Sequence, residues 1–254
     1  MQSVAVISDI HANLPALEAV FRKIDELGIG QILCCGDVVG YGPHPRECVA
    51  LMRQRNIPCV LGNHDLYTLQ ARDNPAVRDV EDGLWRSSVR AGIFYAVAQL
   101  REEDFDWLLD LPSFIKLPGT IIGHAALHDT KHWAYLVEDA NIIATLEEMT
   151  VRKFSRGFFG HSHDQEWFTK TPEGAVKRSR KAVSTLPANR ASAEVVGSVG
   201  QPRTGDPRAA WTLWQPQARS IEFRRTAYPV EETMAAIKAC GLPLNSAQRL
   251  SRGV

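Results

Sequence analysis

Three short apolar runs in the first part of the chain, separated by about one helix each, constrain its fold most strongly. They read as buried strands and cover residues 4–8, 32–35 and 58–61. Amphipathic helices are predicted between them, the first beginning near Pro15 and the second at Pro45. Asp37 follows Asp9 by 28 positions and His64 follows Asp37 by 27, about the length of one β-loop-α-loop unit. The pattern predicts a βαβαβ unit with parallel strands and right-handed crossovers.

The rest of the chain predicts a helical insertion, a second group of strands and a last helix. The predicted elements are mostly helix over 66–113, a short strand between Pro112 and Pro118, a strand over 120–127, a helix over 138–148, short strands over 157–160, 166–170, 175–180, 193–196, 208–215 and 219–225, and a helix over 230–240. The short strands favour an antiparallel second sheet, and the tail over 242–254 is expected to be loosely packed. Because no linker interrupts the pattern, we predict a single domain over 1–254 with an insertion at about 66–113.

Composition excludes several broad classes of protein. Lys+Arg and Asp+Glu both total 29, which is unlike the basic footprint of a dedicated nucleic-acid binder. The five cysteines are odd in number and form no CxxC pair, so we expect reduced, buried thiols and a cytoplasmic location. The chain begins with a strand and not with a signal-like leader, and no run approaches the ~20 apolar residues of a membrane span. We therefore expect no membrane association.

Polar residues that could bind metal follow the predicted strands. They are Asp9 and His11, Asp37, the triplet Asn63-His64-Asp65, a histidine-bearing segment over 124–132, and His161 with His163. In a strand, residues i and i+2 such as Asp9 and His11 point the same way. Each group alone also fits a helix cap or a polar turn. Together they predict a metal site at the carboxyl edge of a parallel sheet, where sites form in open α/β folds.

Six segments of the chain resemble the calcineurin-like metallophosphoesterases, in particular the small bacterial and archaeal phosphodiesterase group. They are residues 8–13 (SDIHAN), 36–43 (GDVVGYGP), 62–65 (GNHD), 160–163 (GHSH), 197–203 (GSVGQPR) and 205–208 (GDPR). The resemblance covers nearly the whole chain and is weak between residues 66 and 118. It implies an α/β fold of four layers, an αββα sandwich in which two facing mixed sheets are flanked by helices.

The resemblance also implies which residues form the site. The implied metal ligands are Asp9, His11 and His163 for a first ion, Asp37 as the bridge, and Asn63, His161 and His128 for a second ion. We choose His128 over His124 because it lies at the end of the apolar run and not inside it. His64 is the implied proton donor, with Asp65 fixing its tautomer. Arg203, Arg208 and Tyr41 are candidates for contact with the substrate.

The implied activity is hydrolysis of phosphate esters, most readily phosphodiesters, by a hydroxide that bridges two divalent ions. The mixed oxygen and nitrogen ligands suit manganese, iron, zinc or nickel. The implied partner is a small phosphate ester or a nucleotide. A catalytically silent scaffold with the same fold is the alternative. An amidohydrolase-like metal hydrolase is a further rival, but that class typically opens with His-x-His, whereas this chain opens with Asp9-Ile-His11.

Overall fold

The structure is a computed structural model that describes residues 3–74 and 87–254. The strands are β1 (Val4–Ile7), β2 (Gln31–Cys34), β3 (Ile115–Leu117), β4 (Thr120–Ile122), β5 (Arg156–Phe159), β6 (Gln165–Lys170), β7 (Val176–Ser179), β8 (Val183–Thr185), β9 (Ser192–Val196), β10 (Ala209–Gln215) and β11 (Ser220–Thr226). The helices are α1 (Leu14–Glu26), α2 (Pro45–Gln54), α3 (Asn63–Asp73), α4 (Ser87–Gln99), α5 (Glu102–Leu109), α6 (Asp139–Val151), α7 (Val230–Ala239) and α8 (Leu244–Arg252). No helix among these ranges is long and apolar enough to cross a membrane.

The strands form two mixed sheets. The first has the order β2-β1-β10-β11-β8 and the second has the order β3-β4-β5-β9-β6-β7. β1 pairs with β2 in parallel, and β5 pairs in parallel with both β4 and β9. The remaining pairs are antiparallel. Parallel strands whose carboxyl ends meet at one edge are therefore present in both sheets.

Both faces of β1 are buried, which explains why its sequence is an uninterrupted apolar run. Val4 and Val6 face the second sheet, where they join a core that includes Phe158. Ala5 and Ile7 face the other way and pack in the core that contains the apolar stripe of α1. The outer face of the second sheet is covered by α6. The result is the predicted αββα sandwich, with two facing mixed sheets between layers of helix.

Several details of the sequence-based prediction are wrong. The late strands do not form one antiparallel sheet: β8, β10 and β11 join the first sheet, and β5 and β9 run parallel in the second. The predicted strand over 58–61 reduces to a single parallel bridge between Cys34 and Cys59. The tail is not loose, because α8 buries Ala247 and Leu250 against α7. The predicted insertion is helical in α3, α4 and α5, and its residues 75–86 lie outside the described residues.

Glu194 is a buried carboxyl group in the middle of the second sheet. Its Oε1 accepts a hydrogen bond from Ser192 at 2.6 Å, and its Oε2 has no partner in the described part of the chain. Burial raises the pKa of Glu194 to about 8, although Ser192 and Arg156 oppose the shift. The pKa of Glu194 is higher in the folded chain than in the unfolded chain. Burial of this carboxyl group therefore lowers the free energy of unfolding most at a pH at which the unfolded chain is ionised there.

We therefore expect Glu194→Gln to stabilise the protein in a pH-dependent way. Between pH 5 and pH 8 the unfolded wild-type chain is ionised at this position, with a pKa near 4.5, while the folded chain keeps the proton, so wild-type stability falls as pH rises. Glutamine removes that loss, and its advantage in free energy of unfolding should grow by about 3 kcal/mol over this window, at ~1.4 kcal/mol per pKa unit. Urea unfolding at several pH values measures it, with exposed Glu103→Gln as control. An advantage that does not change with pH would contradict the assignment.

Candidate metal centre

The candidate ligands converge where strands of the two sheets end. Asp9 and His11 follow β1, Asp37 follows β2, Asn63 begins α3, and His161 and His163 follow β5. Backbone contacts join the two sheets at this edge. The N–H of His161 donates to both carboxylate oxygens of Asp9, at 3.2 and 3.0 Å. Side chains as far apart in sequence as Asp9 and His163 thus meet in one buried group.

The backbone at this edge is held in an uncommon conformation. The residues with positive φ include Asp9 (52°), His11 (47°), Asp37 (57°), Tyr41 (55°), His161 (68°) and His163 (63°). Residues other than glycine occupy this left-handed region rarely, and such strain concentrates at functional sites. Glycine permits the close approach of neighbouring loops, since a Cβ on Gly62 would lie 2.1 Å from Asp37 Oδ1.

The two imidazoles of His11 and His163 provide the strongest sign that this group of side chains binds a cation. His11 Nδ1 lies 3.2 Å from the carbonyl of Val39, and His163 Nδ1 lies 2.5 Å from the carbonyl of Gln201. A carbonyl only accepts, so each ring carries its proton on Nδ1 and has a lone pair on Nε2. The two Nε2 atoms are 3.0 Å apart. Two lone pairs at this distance repel each other unless a positive charge lies between them.

Both rings are neutral, as metal ligands must be. Burial lowers the pKa of His11 and of His163, and the nearby positive charge of Arg203 lowers both further. Asp9 Oδ1 lies 3.3 Å from His163 Nε2 and 3.8 Å from His11 Nε2. Backbone carbonyls that fix the tautomer from the far side of the ring are the usual support of metal-binding histidines.

A second group of donors lies beside the first and includes His124. His124 Nδ1 is 2.7 Å from the carbonyl of Cys35, so its Nε2 faces Asn63 Oδ1 at 3.0 Å and Asp37 Oδ2 at 3.3 Å. Both of these oxygens are acceptors. Burial lowers the pKa of His124, but the charges of Asp37 and Asp9 outweigh it and raise the pKa to about 10. A proton or a metal ion therefore has to occupy this position.

Asp37 lies between the two groups of donors. Its Oδ1 accepts a hydrogen bond from the N–H of His64 at 2.8 Å, in the first turn of α3, whose positive dipole end favours an anion. Its Oδ2 lies 3.7 Å from His11 Nε2 and 3.3 Å from His124 Nε2. Burial alone would raise the pKa of Asp37, but the charges of His124 and His64 hold it well below the usual range. The same holds for Asp9, where His163 opposes burial.

Candidate ligand atoms within 4.8 Å of one another form three overlapping groups in the described residues. The groups are Asp9, His11 and His163; His11, Asp37 and His64; and Asp37, His124 and His161. Asp37 and His11 each belong to two groups. Buried carboxylates, imidazole nitrogens and an amide oxygen suit divalent cations with mixed oxygen and nitrogen ligands. The residues present therefore fit the metal ions that the sequence implies.

The structure does not bring His128 to this site, and the prediction that chose it over His124 is wrong. His128 is exposed, and its Nδ1 lies 3.3 Å from Thr145 Oγ1. β4 ends at Ile122, and the N–H of Gly123 still donates to the carbonyl of Phe158 while the carbonyl of His124 accepts from Gly160, which places His124 at the strand end. The apolar residues that follow pack under α6 and do not extend the strand.

Asp65 contacts the backbone and not His64, contrary to expectation. Its Oδ2 accepts from the N–H groups of Asp37 at 2.9 Å and Gly62 at 3.0 Å. Its Oδ1 accepts from Val38 at 2.9 Å and Val39 at 3.1 Å. Burial and the charge of Asp37 raise the pKa of Asp65 to about 7, against the backbone donors that favour the ionised form. Asp65 is thus a positioning residue for the loop that carries Asp37.

We expect Asp65→Asn to destabilise the fold and to weaken metal binding together. An amide NH₂ in place of one oxygen faces two backbone N–H groups, and each buried donor left unsatisfied costs about 1–3 kcal/mol. The free energy of unfolding should fall by about 3 kcal/mol, measured by urea unfolding of metal-free protein. Asp106→Asn, an exposed position in α5, serves as control. Equal stability of the two variants would remove the positioning role.

His64 is buried beside the ligands and faces Tyr41. Its ring centroid lies 4.6 Å from that of Tyr41 and 4.8 Å from that of His11. Burial, opposed by the charge of Asp37, lowers the pKa of His64 to about 4, so the ring is neutral at pH 7. Its Nδ1 is buried and has no hydrogen-bond partner within the described ranges. His64 can therefore donate one N–H into the cleft while its other nitrogen lies against Gly40.

Of the three predicted substrate contacts, two lie in the cleft and one does not. Tyr41 and Arg203 line a cleft of about 510 Å³ that opens over the ligands. Arg203 donates to Gln201 Oε1 at 2.9 Å and has no carboxylate partner among the residues described. Arg208 instead lines a different pocket and is held by Asp206, with its Nη2 2.6 Å from Oδ2. The structure therefore does not bring Arg208 to the cleft.

The cleft also contains residues that the sequence did not indicate. They are Tyr67, Val89, Trp133, Tyr135 and Arg249, whereas His132, which also lines the cleft, belongs to the histidine-bearing segment that the sequence singled out. Aromatic residues are common in cores, and nothing in the local pattern marks these as lining a cleft. His124 did carry a signal, since Gly123-His124 after β4 repeats Gly160-His161 after β5.

The fold and the donor set together define a metal-binding αββα protein, and comparison with known proteins gives its family. The family model described as Calcineurin-like phosphoesterase matches residues 3–170. The uncharacterized protein MJ0912 of Methanocaldococcus jannaschii is 32% identical over 259 residues, which cover 98% of both chains. The chain belongs to the calcineurin-like phosphoesterase family, as its motifs predicted.

Solved structures agree with this assignment. The crystal structure of a metallophosphoesterase from Sphaerobacter thermophilus superposes with a TM-score of 0.82 at 32% identity, covering 100% of both chains. The hypothetical protein PH1004 of Pyrococcus horikoshii OT3 gives a TM-score of 0.79 at 19% identity, covering 100% of this chain and 99% of the other. The second likeness concerns the fold alone.

Proposed function

We propose that this protein is a phosphohydrolase that uses two divalent metal ions and hydrolyses phosphodiesters. The observation that carries the proposal is the pair of Nε2 atoms of His11 and His163, 3.0 Å apart with both Nδ1 positions bound to carbonyls. Membership of a phosphoesterase family supplies the reaction class. A cleft of about 510 Å³ with walls of different chemistry suits two ester substituents on one phosphorus.

The proposed ligands divide between the two ions. They are Asp9, His11 and His163 for the first, Asn63, His124 and His161 for the second, and Asp37 for both. Such ions, when bound, neutralise phosphate charge and activate water for attack. Two divalent ions carry about +4 and the two carboxylates return −2, so the centre stays positive and favours an anionic ester.

The side chains around the ligands have separate roles in this proposal. Arg203, half-buried beside His163, binds a phosphate oxygen through a guanidinium that no carboxylate holds in the described residues. His64, whose ring is neutral at pH 7, donates a hydrogen bond from its N–H to the oxygen that leaves phosphorus and stabilises the charge that develops there, an effect worth about 10²–10³ in kcat. Asp65 keeps the loop of Asp37 in place through four backbone N–H groups.

A substrate panel tests the proposal. Protein freed of metal and then supplied separately with manganese, iron, zinc or nickel is assayed on bis-p-nitrophenyl phosphate, p-nitrophenyl phosphate, cyclic nucleotides and diadenosine tetraphosphate. We expect turnover that requires added metal and a higher kcat/KM for the diester than for the monoester of p-nitrophenol. A higher value for the monoester would make the protein a phosphatase. Inactivity on every substrate with every metal would favour a scaffold.

A further inference from the structure

One wall of the cleft is aromatic and belongs to the segment between β4 and α6. Tyr135 stacks on His161, with ring centroids 4.0 Å apart and an interplanar angle of 15°. Trp133 approaches His124 edge-on, with centroids 5.6 Å apart at 74°. Both rings thus lie against the proposed ligands of the second ion. The tyrosine is 46% exposed, so one face covers His161 while solvent reaches the rest of the side chain.

The backbone that carries these rings is fixed on both sides. The carbonyl of Ala134 accepts from the N–H of Ala126 at 3.0 Å, and the carbonyl of Tyr135 accepts from Asn141 Nδ2 at 3.1 Å. Leu136 is buried in the core under α6. Trp133 has a φ of 54°, in the left-handed region that a bulky residue rarely adopts. Strain of this kind is retained where surrounding structure demands a particular direction of the side chain.

The chemistry of the cleft differs at the side of the first ion. Arg203 is bound to Gln201, whose carbonyl also holds His163. Arg249 of α8 lines the same cleft, and its Nε donates to the carbonyl of Val254 at 2.8 Å. A ligand that spans the metal centre would meet a flat aromatic ring near the second ion and two guanidinium groups elsewhere in the cleft. Nucleotides combine a planar base with anionic phosphate, and a cleft of this size is in the range that holds such a ligand.

We propose that Tyr135 is a stacking platform for a nucleobase, so that the esters hydrolysed at this centre are nucleotides. The proposal rests on the phosphoesterase function proposed above and specifies its substrate class. Stacking of one base on an aromatic side chain is tolerant of base identity and strengthens binding severalfold or more. Tyr135 acts here as a specificity-determining residue, since it touches the base and not the reacting phosphorus.

Equilibrium binding separates base recognition from catalysis. We would titrate manganese-loaded protein with AMP and with ribose 5-phosphate, which carries a hydroxyl group at C1 where AMP carries adenine, and measure dissociation constants by calorimetry. We expect wild type to bind AMP about tenfold more tightly, at the lower end of what one stacked base supplies. Tyr135→Phe should keep this ratio and Tyr135→Ala should reduce it below about twofold. Val137→Ala, at a 53% exposed position on the same segment, is the control and should keep the ratio.

Other outcomes overturn the proposal in distinguishable ways. Equal affinity of wild type for both ligands would overturn base recognition and leave the phosphoesterase function standing. A tenfold ratio that persists in Tyr135→Ala, or equal weakening of both ligands, would show that Tyr135 only supports His161. Failure of wild type to bind either phosphate ester would count against the phosphoesterase function itself, and the nucleotide proposal would fall with it.

Discussion

Replacing Asp37 by alanine should abolish turnover and remove bound metal. Asp37 Oδ2 lies 3.7 Å from His11 Nε2 and 3.3 Å from His124 Nε2, so it is the one carboxylate that contacts both groups of donors in the described residues. Its loss also deprives the N–H of His64 of its acceptor. We expect metal content after dialysis to fall to a small fraction of that of wild type. We also expect kcat to fall by more than about 10⁴, because the ions would no longer neutralise phosphate charge or activate water.

The control for Asp37→Ala must remove a carboxylate that lies away from the candidate metal centre. Asp106→Ala removes an exposed carboxylate from α5 and should leave metal content and kcat as in wild type. Metal content is measured by elemental analysis of dialysed protein, and folding is checked by urea unfolding. An Asp37→Ala protein that is folded and retains both ions would contradict the bridging role.

Replacing His64 by alanine should retain metal and lose rate. The ring is neutral at pH 7 because burial, opposed by Asp37, lowers its pKa to about 4, and its Nδ1 has no partner within residues 3–74 and 87–254. A group that assists departure of the leaving oxygen matters most when that oxygen departs poorly as an anion. We expect kcat to fall about 10²–10³ for esters with alkyl leaving groups, and much less for p-nitrophenyl esters, because His64 stabilises the leaving oxygen by a hydrogen bond.

The dependence on leaving group distinguishes assistance from ligation. His64 also lies within reach of His11 and Asp37, so it is a possible ligand by distance alone. If it is a ligand, His64→Ala should lose metal and should slow every substrate by a similar factor. His64→Gln, which keeps a hydrogen-bond donor without an imidazole, should recover part of the rate for alkyl esters. Full wild-type activity in His64→Ala would remove the role assigned to it.

The candidate ligands near the start of the chain were predictable because each one lies just after the predicted strand of a local βα unit. The spacing from Asp9 to Asp37 to His64 reflects strand, turn and helix lengths that short stretches of sequence determine. The structure adds why glycine precedes some of these donors. A Cβ on Gly160 would lie 1.9 Å from Ser8 Oγ, so the two sheets could not approach at that point.

The choice between His124 and His128 could not be made from hydrophobicity, because the apolar run does not end where the strand ends. β4 stops at Ile122, whereas burial continues through Leu127 in the core under α6. Buried strands and buried loops are both rich in apolar residues, so hydrophobicity alone does not show where the strand ends. The comparison of Gly123-His124 with Gly160-His161 would have favoured His124, since parallel strands β4 and β5 end side by side.

Contacts between distant segments account for the remaining differences. The division of the late strands between two sheets depends on pairing over long separations, such as Val4 with Trp214 across β1 and β10. The role of Asp65 depends on hydrogen bonds from a loop 26 to 28 positions earlier in the chain. The sequence around Asp65 is typical of a polar turn and does not indicate these bonds. Packing of α8 depends on Leu250 meeting the apolar face of α7. None of these contacts leaves a periodic signal in the sequence.

The most direct test of the metal centre is a crystal grown with manganese and measured for anomalous scattering. The proposed metal centre requires one peak between the Nε2 atoms of His11 and His163 and a second peak in contact with Asn63 Oδ1 and His124 Nε2, with Asp37 touching both. Absence of any peak at these donors, in crystals where the His11 and His163 rings keep their 3.0 Å approach, would contradict it.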